Sequence, residues 1–316
     1  MRKRVLIFAF HDVNKIIDVH VLNYLYKIKT YFDFLIFVSD HGLSKEQKRK
    51  ISFFDKILDN KHFEKDFGSW KRGLNSISNK CKYDEIFLLN DSVIGPTICF
   101  KDILIKMDKK KSDFWGITSA GELDTFHIQS YFLCFKKKCF SSDVFINFFN
   151  SVQSLKSKAD MVREYEIGLT QKLIKNNFLC CSFVNSFRRD IYAQQKSFKL
   201  MKSKVIPFLK VKTFVNNPEQ LPNVFQLFYL VEDIRRFKEY ILRVNNSNTE
   251  KHLYYKLPLL NLKFISKKFL HIRSKISKSK KWWRFYVKFL SIYIFFIAIP
   301  LFRDRTKLYN AWNVKN

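Results

Sequence analysis

The sequence predicts an α/β protein with a mostly parallel central sheet, and three observations lead to that class. Short apolar runs alternate with amphipathic stretches along most of the chain, as they do where strands alternate with helices. The chain has 316 residues and is 47% hydrophobic, which is enough to bury one large core. In "YDEIFLLNDSVIGP", the polar triplet Asn90-Asp91-Ser92 directly follows an apolar run, and ligands of parallel sheets bind at the carboxyl ends of strands.

The first elements are predicted from the period of their apolar residues. Strands are expected at residues 5–10, 34–39 and 86–89, with a weaker strand near Ile57. Helices are expected at about residues 14–31 and 44–54, and a third is expected to begin near Ser69. Serine is a preferred N-cap residue, and this one lies within "EKDFGSWKRGL".

Three later segments carry candidate site residues. "DFWGIT" predicts a short strand, and "FHIQSYFLCF" predicts a strand with His127, Gln129 and Tyr131 on one face. "MVREYEIGLTQKLIKNNF" predicts an amphipathic helix with Glu164 and Glu166 near its start, because a helix N-terminus favours carboxylates.

The charge of the chain indicates an anionic partner. A net charge of +30 suits nucleic acid, a phospholipid surface or phosphorylated substrates. The abundance of lysine, isoleucine, phenylalanine and asparagine also indicates an AT-rich genome, so charge alone does not point to nucleic acid. The basic cluster adjoins an apolar run, and the chain has no RNA-binding aromatic signature or helix-turn-helix spacing, so we expect no nucleic-acid partner.

The cysteines and the N-terminal residues indicate a cytoplasmic protein. The six cysteines form no CxxC pair and have no zinc-like histidine spacing, so we expect reduced, buried thiols. The apolar run at residues 5–10 is too short for a signal peptide and is assigned to the first strand.

Five motifs occur in a fixed order: "DFGSWKRGL", "LLNDSVIGP", "DFWGIT", "HIQSYFLCF" and "YEIGLT". In this order they resemble the rhamnan synthesis protein F family of bacterial polysaccharide glycosyltransferases, over roughly residues 4 to 220. The resemblance implies a GT-A-like nucleotide-sugar-binding domain at residues 1–220. It also implies transfer of a sugar, often rhamnose, during assembly of a cell-surface polysaccharide.

A glycosyl donor of this kind leaves as a nucleoside diphosphate, whose charge is usually neutralised by a divalent cation on hard oxygen ligands. Asp91, between Asn90 and Ser92, resembles the Asp-x-Asp motif of GT-A enzymes, although only one carboxylate is present. We expect Mg²⁺ or Mn²⁺ here, with His127 completing the metal site or touching the sugar. The alternatives are an Asx-type turn before Gly95 and a hydrogen-bonded strand histidine.

The motif "DFGSW" is the second expected donor site. Gly68 permits close approach of the backbone, and a helix that begins near Ser69 would direct free N–H groups at an anion, with Lys71 and Arg72 adjacent. Asp66 is expected to bind a ribose hydroxyl or the base. The alternative is an ordinary capped helix start.

A carboxylate base is the third requirement, because inverting transfer needs the acceptor hydroxyl to lose its proton. "EYEIGLTQKL" is similar to the Glu-Asp-x-x-Leu helix start of inverting GT-A enzymes, and alignment on Leu169 makes Glu166 the base. Both acidic residues could instead be partners of the helix dipole. The residues expected to contact the acceptor or the sugar are Trp115, His127, Gln129, Tyr131 and Glu164.

The C-terminal region, residues 221–316, is predicted to be basic, aromatic and helical. Residues 263–288 include ten lysines or arginines and no acidic residue. The apolar run at residues 289–302 is 14 residues long, shorter than the roughly 20 that span a bilayer. With Trp282 and Trp283 it suits a helix that lies in an anionic cytoplasmic leaflet. A buried helix with a solvated basic face and a true membrane span are the alternatives.

Together these patterns predict a membrane-associated, inverting glycosyltransferase on the inner face of the plasma membrane. We expect it to move rhamnose from dTDP-rhamnose onto a lipid-linked or growing glycan. Its expected partners are the nucleotide-sugar donor, the lipid-linked acceptor and the anionic membrane surface. A noncatalytic scaffold of a polysaccharide-assembly machine remains an alternative, since it would explain the missing second carboxylate, and a nucleic-acid-binding protein is a further one.

Overall fold

The computed structural model describes residues 2–121, 125–186, 190–194, 196–221 and 223–245, all within one compact unit that spans residues 1–253. The strands are β1 (Arg4–Phe10), β2 (Phe34–Ser39), β3 (Lys56–Leu58), β4 (Glu85–Asn90), β5 (Val93–Ile94), β6 (Phe114–Ala120), β7 (His127–Ile128), β8 (Phe132–Lys136), β9 (Cys180–Val184) and β10 (Leu209–Lys210).

The α-helices are α1 (Val19–Ile28), α2 (Lys45–Lys50), α3 (Lys65–Asn75), α4 (Phe100–Asp108), α5 (Lys137–Phe140), α6 (Asp143–Asn150), α7 (Lys158–Met161), α8 (Gly168–Lys175), α9 (Ser197–Lys202), α10 (Val211–Val215) and α11 (Ile234–Asn245). A π-helical segment, Val162–Ile167, joins α7 to α8. Short 3₁₀ segments occupy Lys29–Tyr31, Lys80–Lys82, Ile191–Ala193 and Val224–Leu230.

The main sheet has the strand order β3-β2-β1-β4-β8-β6-β7, with β9 beside β6. Pairs β1–β2, β1–β4, β2–β3 and β6–β9 are parallel, whereas β4–β8, β6–β8 and β6–β7 are antiparallel. The predicted α/β class with a mostly parallel sheet is therefore confirmed. The four strand positions predicted in the first half of the chain correspond to β1, β2, β3 and β4.

Both faces of the sheet are covered, which explains why its central strands are continuous apolar runs. Alternate residues of β1 enter opposite clusters: Phe8 joins a cluster that includes α1, α4 and α11, and Ile7 joins one that includes α3, α6 and α8. Full burial of one such side chain contributes roughly 1.5–3 kcal/mol. The core therefore packs against both faces of the sheet.

Two predicted helix starts are wrong. The first helix, α1, begins at Val19, because Lys15 has a positive φ of 59° that interrupts any earlier helix. The third, α3, begins at Lys65, and Ser69 lies inside it rather than at its N-cap. There the Ser69 hydroxyl is buried and hydrogen bonded to His62 Nε2 at 3.0 Å.

The cysteines are free, as predicted, but most of them are not buried. Cys134 and Cys139 lie in the core, and Cys81 and Cys99 are exposed. The remaining pair, Cys180 and Cys181, is partly buried at β9. The prediction of buried thiols is therefore wrong for the pair at the surface.

Most of the predicted C-terminal region, including Trp282 and residues 289–302, lies outside the described residues. Within the described part, Phe228 and Phe237 pack into the cluster that contains α1. The domain boundary at residue 220 stays a prediction. No helix among the described residues is both long and apolar enough to cross a bilayer.

Candidate active site

A cavity of about 750 Å³ opens at the edge where β1, β4 and β6 end. Most of the predicted site residues line it: Asp66, Asn90, Asp91, Ser92, His127, Gln129, Tyr131 and Glu166. The strand directions explain why these residues lie at the same edge of the sheet. The parallel strands β1 and β4 end there, and β8, antiparallel to β4, begins there, directly after Tyr131.

The triplet Asn90-Asp91-Ser92 forms both a turn and a carboxyl site. Asn90 Oδ1 accepts hydrogen bonds from the Ser92 backbone N–H at 3.1 Å and from its hydroxyl at 2.7 Å, which is the Asx-type turn expected as the alternative. Asn90 Nδ2 also donates to Asp66 at 2.7 Å. The turn leaves the Asp91 side chain at the cavity wall, where it accepts from the His11 backbone N–H at 2.9 Å.

Asp66 and Asp91 form a carboxyl pair. Loss of hydration, with the neighbouring Asp66 as the second cause, raises the pKa of Asp91 to about 8. Loss of hydration also raises the pKa of Asp66, although the hydrogen bond from Asn90 opposes it. Asp66 is held here because Trp70, one helical turn later, donates its indole N–H to Leu89 O at 3.0 Å. The chain thus supplies from α3 the second carboxyl that the triplet lacks.

Glu166 and His127 are hydrogen bonded to each other. Glu166 Oε1 lies 3.2 Å from His127 Nε2, and Glu166 Oε2 accepts from the Ser130 hydroxyl at 2.5 Å. Burial alone would raise the pKa of Glu166, but these two hydrogen bonds outweigh it and the pKa lies below its ordinary value. Burial would lower the pKa of His127, and the bond to Glu166 reverses this and raises it. Glu166 is therefore ionised at neutral pH.

Both ring nitrogens of His127 face protein oxygens. Its Nδ1 donates to Thr125 O at 2.7 Å while Nε2 faces the Glu166 carboxylate. Both ring nitrogens therefore already have hydrogen-bond partners in this arrangement. The predicted contact of His127 with a metal ion or a sugar stays a prediction, and its ring lines the cavity.

Glu166 lies in the middle of a helix and not near its start, so the predicted position is wrong. The helix begins with α7 at Lys158, and Glu166 belongs to the π-helical segment. Its carboxylate is therefore no partner of the N-terminal dipole, since that effect fades within the first turn. π-helical turns are frequent at functional sites because they redirect side chains.

A buried hydrogen-bond network joins the cavity residues Gln129 and Tyr131 to the core. The Thr118 hydroxyl contacts Gln129 Oε1 at 2.6 Å and the Tyr131 hydroxyl at 2.9 Å. The Tyr131 hydroxyl lies 3.1 Å from that of Tyr192, which donates to Phe208 O at 2.9 Å. Gln129 Oε1 and the Tyr131 hydroxyl therefore already have hydrogen-bond partners within the protein.

Lys210 lines the cavity, although the sequence patterns do not predict it as a site residue. Its strand, β10, pairs with β5, where Lys210 is opposite Val93, directly after the triplet. Its ammonium lies 3.9 Å from the centre of the Tyr131 ring. Loss of hydration lowers the pKa of Lys210 to about 8, although Glu166 and Asp190 oppose this. In the sequence, the indication that Lys210 has a special place is its charge within the otherwise apolar start of "PFLKVKTF".

Helix α11 forms another part of the cavity wall that was not predicted. Arg243 donates to both carboxylate oxygens of Asp12, at 3.2 and 3.1 Å, and also contacts Asp18. Tyr240, one turn earlier, lines the cavity. Loss of hydration raises the pKa of Asp18, and Arg243 opposes this. These contacts join residues far apart in the sequence, which its local patterns cannot reveal.

Four predicted site residues do not line the cavity. Gly68 lies inside α3, and Lys71 donates to the backbone oxygens of Asn150 and Val152. Trp115 packs in the core, 2% exposed, against aromatic rings. Glu164 is exposed and pairs with Arg163 at 3.0 Å. The predicted anion site at the start of α3 does not form, because the N–H of Gly68 already bonds to Glu64 O at 3.1 Å.

A family model described as "Rhamnan synthesis protein F" matches residues 35–294, most of the chain. The chain belongs to this family. The match covers the carboxyl pair, the Glu166 segment and Lys210. Membership in the rhamnan synthesis protein F family therefore agrees with the resemblance of the five motifs.

Individual relatives are distant. "Uncharacterized protein y4gN" of Sinorhizobium fredii is 24% identical over 174 residues, which are 54% of this chain and 43% of that protein. The chain thus spans less than half the length of this relative.

Solved structures with some likeness include a 4-diphosphocytidyl-2C-methyl-D-erythritol synthase from Anaerococcus prevotii, with a TM-score of 0.35, 13% identity and coverage of 58% of this chain and 89% of that chain. Core-mannan synthase A from Aspergillus fumigatus, in an Mn/GDP form, has a TM-score of 0.33 and 8% identity, and the match covers 58% of this chain and 71% of that chain. S. aureus TarS 1-349 has a TM-score of 0.38 and 10% identity, and the match covers 82% of this chain and 76% of that chain. Because these TM-scores lie below 0.5, no conclusion about this chain follows from them.

Proposed function

We propose that this chain is a glycosyltransferase of polysaccharide assembly, with its GT-A-like site in the described cavity. The observation that carries the proposal is Glu166: an ionised carboxylate, oriented by His127 and Ser130, in the same cavity as a carboxyl pair and a lysine. A base, a cation-binding group and a cationic group are what sugar transfer from a nucleoside diphosphate requires.

In this proposal Glu166 acts on the acceptor. The acceptor hydroxyl gives its proton to the Glu166 carboxylate while its oxygen bonds to the anomeric carbon of the donor. The bond between that carbon and the diphosphate breaks in the same step, so the configuration inverts. The hydrogen bonds from His127 and Ser130 hold the carboxylate in one orientation before the substrate arrives.

Asp66, Asp91 and Lys210 are assigned to the diphosphate of the donor. Two neighbouring carboxyls with raised pKa values fit a divalent cation, whose charge would offset their mutual repulsion. Mg²⁺ or Mn²⁺ bound there would neutralise charge on the leaving diphosphate. Lys210, whose ammonium lies over Tyr131, adds a positive charge from the chain itself.

The proposal also includes the substrate and the place of action, which the family and the sequence support. The family description, rhamnan synthesis, supports rhamnose as the sugar, and dTDP-rhamnose is the donor we propose. A lipid-linked or growing glycan is the proposed acceptor. The excess of basic residues supports work at the anionic inner face of the plasma membrane.

A thermal-shift screen of nucleotide sugars tests the proposal. We expect dTDP-rhamnose with Mg²⁺ or Mn²⁺ to raise the melting temperature more than UDP- or GDP-sugars, because a bound donor stabilises the fold by mass action. Slow donor hydrolysis by the purified protein should accompany it. Glu166→Gln should keep the shift and lose the hydrolysis. A chain that gives neither shift nor hydrolysis with any donor would instead be a noncatalytic scaffold.

A further inference from the structure

A second cluster of potential ligands lies where β1 and β2 end. The strands are parallel with Phe10 opposite Ser39, so His11 comes beside Asp40 and His41. Asp40 Oδ2 lies 2.6 Å from His11 Nδ1, and Asp40 Oδ1 lies 2.6 Å from His41 Nδ1. One ligand atom from each of the three side chains lies within 4.8 Å of the other two.

The cluster is held by the fold and is open to small solutes. Asp40 is 2% exposed, and its backbone N–H and carbonyl groups bond to Phe10 O and to the His62 N–H. The two imidazoles are more accessible, with side-chain exposures of 36% for His11 and 27% for His41. A fixed carboxylate with two accessible imidazoles leaves room for further ligands from solvent.

The donor atoms suit one class of ion. Two imidazole nitrogens and one carboxylate oxygen are typical ligands of Zn²⁺ and related transition-metal ions, whereas Mg²⁺ prefers oxygen ligands alone. In a tetrahedral site, bond lengths of roughly 2.0–2.2 Å place two ligand atoms about 3.3–3.6 Å apart. The three ligand atoms lie within 4.8 Å of one another, so side-chain rotations need to bring them closer by at most about 1.5 Å.

We propose that His11, Asp40 and His41 bind a divalent transition-metal ion at the rim of the cavity. This site is separate from the Asp66–Asp91 carboxyl pair, which is assigned to Mg²⁺ or Mn²⁺. The two sites are adjacent, because the His11 backbone N–H donates to Asp91 and His11 lines the cavity. The bound ion adds positive charge beside the carboxyl pair, and its binding does not depend on the proposed sugar transfer.

Titration of the chelator-treated, full-length protein with Co²⁺ tests this site, followed by visible absorbance and calorimetry. With millimolar Mg²⁺ present to occupy the Asp66–Asp91 pair, we expect one equivalent of Co²⁺ to bind and Zn²⁺ to displace it. His41→Ala should weaken binding about 100-fold or more, because it removes a ligand outright. The matched control is His127→Gln, which changes a histidine of the cavity wall outside the cluster and should leave Co²⁺ binding unchanged.

Two results would overturn the proposal. If wild type binds Co²⁺ no more tightly than His41→Ala, the cluster is only a hydrogen-bonded His–Asp–His arrangement. If His127→Gln abolishes binding instead, the ion sits at His127. Thermal unfolding separates misfolding from ligand loss: His41→Ala should melt like wild type without metal and should lose the stabilisation by Zn²⁺. Because no nucleotide sugar is present, failure here leaves the proposed glycosyl transfer untouched.

Discussion

Glu166 and Glu164 are two residues apart, and only Glu166 faces the cavity. We predict that Glu166→Gln lowers turnover on the order of 100-fold or more and leaves donor affinity unchanged, because only proton removal is lost. Glu164→Gln is the matched control, and its exposed pair with Arg163 should matter little. Turnover and donor affinity are measured on both variants. A crippled Glu164→Gln beside an active Glu166→Gln would reverse the assignment.

Burial of the Asp91 carboxyl makes the stability of the fold depend on pH. In the unfolded chain its pKa is about 4, and in the folded protein it is about 8. The neutral acid is therefore favoured by folding, so this group lowers stability as pH rises from about 4 through 8. We predict that Asp91→Asn, without added cation, melts roughly 2 °C or more above wild type at pH 8.5, with a smaller gap at pH 5.

The same Asp91→Asn variant should lose transfer, since it removes one carboxylate of the proposed cation site. Thermal unfolding at pH 5 and pH 8.5 checks the predicted melting difference, and a transfer assay checks the predicted loss of activity. The pH dependence would contradict the prediction if the variant and wild type melted with a constant difference. Near-normal turnover would exclude a role of Asp91 in binding the cation or the diphosphate.

The pKa of Lys210 predicts that the proposed donor binding depends on pH. Its pKa of about 8 means that the ammonium is charged at pH 7 and is increasingly neutral at pH 9. At saturating Mg²⁺, which keeps the Asp66–Asp91 pair ionised, we predict that the donor affinity of wild type weakens as pH rises through about 8. Lys210→Arg, which stays charged, should retain its affinity at pH 9 better than wild type, and Lys210→Gln should bind weakly at both values. Calorimetry at pH 7 and 9 measures this, and equal pH dependence in all three proteins would contradict it.

The pairing of β5 with β10, which brings Lys210 to the cavity, depends on Gly95. Gly95 has a φ of 145°, and an added Cβ would lie 2.7 Å from Pro207 O and 2.8 Å from the Phe208 ring. We predict that Gly95→Ala destabilises the protein by about 1–3 kcal/mol through overpacking. It should also weaken donor binding, because β10 must move.

Gly42→Ala is the control for this prediction. An added Cβ at Gly42 would meet only Asp59 O, at 3.8 Å, so its free energy of unfolding should stay within about 0.5 kcal/mol of wild type. Denaturant titration of both variants decides the matter. A Gly95→Ala protein as stable as Gly42→Ala would mean that the β5–β10 segment tolerates the side chain.

The sequence predicted those parts of the protein that local patterns determine. β1, β2 and β4 were found because strands buried on both faces are continuous apolar runs, and the polar triplet marked the end of β4. Lys210 and Arg243 were missed because their places depend on contacts between distant segments. The His11–Asp40–His41 cluster was missed for the same reason, since only the β1–β2 register joins its members.

Attachment of the protein to membranes is predicted from residues 263–302, outside the described part of the chain. Each basic residue near an anionic leaflet contributes roughly 1 kcal/mol, and salt screens this attraction but not the burial of aromatic and aliphatic side chains. We predict that deletion from about residue 263 releases the protein into the soluble fraction and spares transfer to a short soluble acceptor. The compact unit at residues 1–253, which contains the cavity, stays whole in that variant.

Replacement of only the basic residues at 263–288 is the matched control for this deletion. It should weaken attachment, most visibly at low salt where the lost attraction is unscreened, without abolishing it, because the apolar run at 289–302 is still present. Membrane fractionation at low and high salt, beside a transfer assay, separates the two contributions. A deleted chain that stays on membranes would refute the anchor. One that is soluble, folded and inactive would show that the C-terminal region completes the acceptor site.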